Sequence, residues 1–140
     1  MDYNNPALMA SAHFPANSQA TVKALELARD FVARANCGAD AEARIAIIVE
    51  ELVTNIVEHG APPPDSEIAI ELAAIGADIG LTLSDTGRFF DIRDAAPPAD
   101  SPPERGGGAG IALVLSWANV IGYEVVDGRN VLRLVIPNHV

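Results

Sequence analysis

The block "HGAPPP" at residues 59–64 divides this chain into two parts with different periodicities. Its three consecutive prolines lack the backbone donors that a helix interior or a sheet ladder needs, so no regular element runs through them. Upstream, "LMASAHF" (8–14) reads as a short strand and "NSQATVKALELARDFVARAN" (17–36) as a helix. Asn17 or Ser18 is suited to cap that helix, and Gly38 to close it. A second helix is expected from near Asp40 to His59, stopped by Gly60 and the prolines.

Downstream the period changes to two. "SEIAIELAAI" (66–75) alternates through Ile68, Ile70 and Leu72, and "ADIGLTLSD" (77–85) through Ile79, Leu81 and Leu83. Gly76 sits between them, which predicts a hairpin. Residues 86–108 contain four prolines and four glycines and read as a long loop, which in a compact domain is usually either functional or disordered. A helix is expected over "AGIALVLSWAN" (109–119), then a hairpin of "VIGYEVVDG" and "RNVLRLVIP" turning near Asp127–Gly128. The order β-α-α-β-β-loop-α-β-β predicts an α+β two-layer sandwich, with a mixed, mostly antiparallel sheet and helices on one face. At 140 residues, one domain spanning 1–140 is expected.

Composition narrows the function. The chain is 49% hydrophobic, enough for a core, but no apolar run is long enough to cross a bilayer. The N-terminal stretch "MDYNNPALMASAHFPA" has neither a basic region nor a sustained apolar one, so no secretory signal is expected. The single cysteine, Cys37, reads as packing in a reducing cytoplasm. A formal net charge of -10 argues against nucleic acid and against anionic membrane surfaces as partners. Lys23 is the only lysine, so a Walker-type phosphate loop is excluded. A nucleotide is still compatible, because glycine amides, a divalent cation and an arginine can hold phosphates on an acidic protein.

Three stretches have the makings of a site. In "EELVTNIVEHG" (50–60), placing Ile45 at zero on a helical wheel puts Val49, Leu52 and Ile56 within about 40° of it. Glu51, Asn55 and His59 then fall at about 240°, 280° and 320°, a stripe along the border of the apolar face. That is equally the position of a pocket lining and of a solvated flank with a histidine near the negative end of the helix. In "LSDTGRFFD" (83–91), Asp85 ends a strand and Gly87 follows, either as an ordinary turn or as a carboxylate beside a glycine that admits a flat ring. In "ERGGGAGIALV" (104–114), glycines run directly into a helix N-terminus beside Arg105, an arrangement suited to phosphate, or a plain linker.

In this order the three stretches resemble the motifs of the ATP-binding superfamily that includes DNA gyrase B, sensor histidine kinases and MutL (GHKL, or Bergerat fold): E-x-x-x-N, D-x-G and G-x-G. The forms "EELVTNIVEHG" and "DTGRFFD" look most like anti-sigma-factor serine kinases of the RsbW and SpoIIAB type, with the likeness covering roughly residues 40–136. The resemblance implies ATP and Mg²⁺ as cofactors. It implies Asn55 as the Mg²⁺ ligand and Glu51 as general base on the attacking hydroxyl. Asp85 would accept from the adenine amino group, with Gly87 giving the ring room. Gly108 and Gly110 would supply amides to the phosphates, with Gly106, Gly107 and Ile111 beside them, and Arg105 would offset charge on the transferred group. The family often has a threonine in its last strands, and "NVLRLVI" has none.

The function so implied is a cytoplasmic protein-serine kinase of a partner-switching system. It would phosphorylate a STAS-domain antagonist, bind a sigma factor and form a homodimer. Two alternatives stay open: a switch kinase of the same fold that binds no sigma factor, and a non-catalytic ATP-binding interaction module.

Overall fold

The computed structural model describes residues 8–95 and 108–138. In chain order the elements are β1 (Met9–Pro15), α1 (Ala20–Ala35), α2 (Ala39–His59), β2 (Glu67–Ile75), β3 (Asp78–Asp85), a 3₁₀ turn η1 (Ile92–Ala95), α3 (Gly108–Trp117), β4 (Asn119–Val126) and β5 (Arg129–Pro137). The strands form one sheet in the order β1-β2-β3-β5-β4. The expected α+β architecture is therefore observed. Every pairing is antiparallel, more uniform than the mixed sheet expected. β3 and β4 do run in the same direction, but β5 is inserted between them by the last hairpin, so no parallel ladder forms.

Both hairpin turns follow from their residues. Gly76 has φ 59 at the first central position of the β2–β3 turn. Asp127 (φ 51) and Gly128 (φ 80) are both left-handed, as a two-residue type I′ loop requires. The helix ends differ in detail from expectation. Asn17 does not cap α1 directly; its Oδ1 accepts from the Gln19 amide at 2.9 Å, one step before the helix. Asn36, not Gly38, closes α1: it is left-handed (φ 54), a conformation asparagine tolerates, and its amide returns to the Val32 carbonyl. Gly38 instead stands at the N-cap of α2. At the other end of α2, Gly60 keeps helical angles (φ -80) and Ala61 makes the left-handed step (φ 47) just before the prolines.

α1 and α2 bury one face each against the sheet. Phe31 from α1 and Ile45, Ile48, Val49, Leu52 and Val53 from α2 meet rows that cross the strands, such as Leu72–Leu81–Leu134 and Ile70–Leu83–Leu132. The expected α2 core face is thus buried through Leu52. Ile56, one turn further, is only partly buried, because there the helix passes the end of the core and borders a cleft. Cys37 is half-buried and unpaired; burial, aided by Glu42, pushes its thiol above the ordinary value, which suits packing rather than nucleophilic chemistry. Among the described residues no helix is long and apolar enough to cross a membrane.

Phe31 has 0% of its surface exposed. Phe31→Ala should therefore lower unfolding stability by about 3–5 kcal/mol, read from urea denaturation. Val22→Ala, on the outer side of the same helix and 50% exposed, should change it by no more than about 0.5 kcal/mol.

Candidate functional site

Where α2 outruns the core, a cleft of about 660 Å³, counted with its open mouth, lies between the helix and the sheet. Leu52, Asn55 and Ile56 form its helix wall, Leu83 and Leu132 its floor, and Arg88, Phe90 and Ile92 its other wall. Asp85 sits at the floor, 7% exposed. Its Oδ1 accepts from the Gly87 amide at 2.7 Å and from Asn130 Nδ2 at 3.3 Å. Asn130 Nδ2 also donates to the Gly87 carbonyl at 2.8 Å. Among the described residues Oδ2 accepts no hydrogen bond, and Asp85 lines the cleft. A buried carboxylate with one oxygen pinned and the other free is a directional acceptor.

The D-x-G turn is pressed onto the end of α2. The Arg88 amide donates to the Gly60 carbonyl at 2.6 Å. A Cβ on Gly87 would lie 2.6 Å from that carbonyl oxygen and 3.1 Å from Asp85 Oδ1. The bare α-carbon at Gly87 thus admits the backbone of α2, a packing requirement the sequence did not reveal.

The α2 stripe lines a second, smaller hollow of about 250 Å³, bordered by Glu51, Thr54, Asn55, Glu58, His59 and Ile111. Asn55 and His59 border both cavities. The structure therefore brings Glu51, Asn55 and His59 together as a lining rather than a free flank. His59 is the least enclosed of them: its side chain is 62% exposed and lies 3.9 Å from Glu58. The Asn55 amide makes no hydrogen bond with any described side chain or backbone group. Thr54 Oγ1 is 3.0 Å from Thr21 Oγ1, which ties this part of α2 to the first turn of α1.

The first turn of α3 rests on Glu51. Gly110 is buried, and a Cβ there would run into the Glu51 carboxylate. Gly108 begins the helix, and Ile111 is anchored in the core. Arg105, Gly106 and Gly107 lie outside the described residues.

The cleft mouth carries aromatic groups that sequence reasoning missed. The Phe90 amide donates to the Tyr123 hydroxyl at 2.9 Å, and the Phe89 and Tyr123 rings lie 4.7 Å apart. Burial, reinforced by the charges of Asp85 and Asp91, pushes the Tyr123 hydroxyl above its ordinary value. Hydrogen bonds from the Arg93 guanidinium hold the Asp91 carboxyl below the usual range, in a two-pronged pair whose shortest contact is 2.7 Å. Asn130 was also missed. Its signal in "RNVLRLVIP" is a lone amide in an apolar strand, but its meaning depends on the register that sets it opposite Asp85.

A helix bearing Glu-x-x-x-Asn beside a strand-end acid, on a two-layer α+β frame, resembles the site of ATP-binding, kinase-like domains. The chain belongs to the family of histidine kinase-like ATPase domains, whose pattern matches residues 14–136. Among solved structures, the RsbU and RsbW domains of Rv1364c from Mycobacterium tuberculosis match with a TM-score of 0.58 at 20% identity, covering 91% of this chain and 32% of that one. This chain therefore corresponds to only part of that protein. The catalytic domain of the histidine kinase ThkA matches with a TM-score of 0.53 at 14% identity, covering 91% of this chain and 97% of that one. At these identities the likeness establishes the fold. No curated protein matches the chain.

Asn130 is 6% exposed, and its Nδ2 serves two acceptors. Asn130→Ala strips a donor from both Asp85 and the Gly87 carbonyl, and should lower stability by about 1–3 kcal/mol in urea unfolding. Asn130→Asp should be worse, because it faces one buried carboxylate with another.

Proposed function

We propose that the chain is an ATP-dependent protein-serine kinase of a partner-switching system, acting on a STAS-domain antagonist and binding a sigma factor. The observation that carries this reading is that two neighbouring cavities share Asn55 and His59 in their linings. Asp85 lies at the floor of one, Glu51 at the border of the other, and Asn55 at their junction. In this reading Asp85 Oδ2 accepts from the adenine amino group and the apolar walls hold the ring. The phosphates extend past Asn55 towards the amide-rich start of α3, where the helix dipole favours negative charge.

The donor set at the junction fits a magnesium ion. The Asn55 amide oxygen is a hard ligand with no competing bond among the described residues. Those residues hold no cluster of three or more His, Cys, Asp or Glu, so phosphate oxygens and water would complete the shell. Bound there, the ion would offset charge on the phosphates.

Glu51 then serves as general base. Its carboxylate takes the proton from the serine hydroxyl as that oxygen bonds to the γ-phosphorus and the bond to ADP breaks. Arg105, Gly106 and Gly107 join this reading on the sequence alone, as a cation and amides closing over the phosphates. Glu51 also argues against a non-catalytic module, which has no use for a carboxylate there. The exposed edge of β1 supports pairing of two copies, which would make the homodimer.

Incubation with Mg·ATP and a purified STAS-domain partner should yield phosphoserine. Glu51→Ala should reduce transfer by about 10²-fold or more while ATP stays bound. Asp85→Asn should weaken nucleotide binding itself, read by calorimetry. Tight ATP binding without transfer would overturn the kinase assignment. Capture of sigma factor by the tagged protein separates the anti-sigma role from that of a switch kinase.

A further inference from the structure

The geometry points to Arg88 as a nucleobase-contacting residue, its guanidinium lying over the outer face of the purine. The inference rests on the nucleotide reading and extends it. Among the described residues four arginines lie close to the cleft or on the strands under it, and three are committed, Arg133 to Glu124 on the neighbouring strand. Arg93 grips Asp91 with two nitrogens. Arg129 donates to the Ser84 hydroxyl and to the Ser84 and Glu67 carbonyls. Arg88 makes no side-chain hydrogen bond or ion pair with any described residue; it is exposed and borders the cleft.

Its location selects the part of the ligand it meets. Arg88 borders only the cleft that holds Asp85 and is absent from the hollow of Glu51, Thr54 and Ile111, where phosphates would go. Its backbone is pinned by the Gly60 carbonyl at 2.6 Å, three residues beyond the Asp85 carboxylate. A purine whose amino edge meets Asp85 Oδ2 lies in the slot between the Leu52–Ile56 wall and the Arg88–Phe90 wall. A planar, weakly hydrated guanidinium stacks on such a face, and an ammonium does so poorly. Arg88 thus covers the side of the base that would otherwise meet water.

Calorimetric titration of the full chain with adenosine and with ADP tests this. Arg88→Ala should weaken both ligands by the same factor, about five-fold. Arg88→Lys should recover little of the loss, because charge without a plane does not stack. Arg88→Gln, which keeps the chain length, gives a second reading and should also bind both ligands more weakly. Unchanged adenosine affinity in Arg88→Ala and Arg88→Gln would overturn the proposal, as would full recovery by lysine. A loss confined to ADP and growing as salt is lowered would also overturn it, since that is the signature of a phosphate contact. If the wild-type chain binds neither ligand, the nucleotide reading fails. If wild type binds both and only Arg88 is indifferent, the Arg88 inference fails alone.

Discussion

The hydrogen bond from the Arg88 amide to the Gly60 carbonyl, at 2.6 Å, joins the helical layer to the loop leaving the central strands. The rest of the site depends on that join. Gly60 offers its carbonyl because α2 ends there, with Ala61 left-handed and three prolines following. The loop can come that close because Gly87 has no Cβ to meet the same oxygen. Once the two backbones touch, the mouth of the cleft is fixed, with α2 on one side and the 88–92 segment on the other. A chain break designed by sequence at 60–64 therefore acts twice: it stops a helix and supplies the acceptor that shapes a pocket.

A second constraint works from below. The register that pairs Asp85 with Asn130 follows from the alternation of β3 and β5, in which Leu83–Leu132 and Leu81–Leu134 must both face the helices. A one-residue slip would turn those leucines to solvent, so core packing specifies the register strongly. The same register places an amide beside a buried carboxylate and pins one of its oxygens. Apolar packing thereby sets the direction of the Asp85 carboxylate at the cleft.

The framework was legible because it rests on periodicity. The helical spacing of Ile45, Val49 and Leu52 and the alternation in 66–85 identified the core faces of α2, β2 and β3. The two turns followed from Gly76 and from Asp127–Gly128, whose left-handed angles have few alternative residues. Helix ends were less legible. Asn36 and Gly38 both suit a left-handed closure, and only the geometry shows that Asn36 takes it and Gly38 begins α2. At the site, the order of the motifs was legible and the supporting contacts were not. Tyr123 comes to the cleft from a distant strand, Asn130 reaches Asp85 through strand register and Arg88 is held by a backbone contact, none of which a local pattern encodes.

The placement of α3 bears on how a chain with a net charge of -10 accommodates phosphates at all. Its first turn sits on the Glu51 carboxylate, which is possible only because Gly110 is bare. That contact gives the acid a favourable position at the positive end of the helix dipole. The acidity of the protein elsewhere opposes this little, because charges separated by more than about 8–10 Å in solvent are screened at ordinary salt. The electrostatics around Glu51 are therefore local, and they come from one bare glycine and a helix end rather than from the overall balance of side chains.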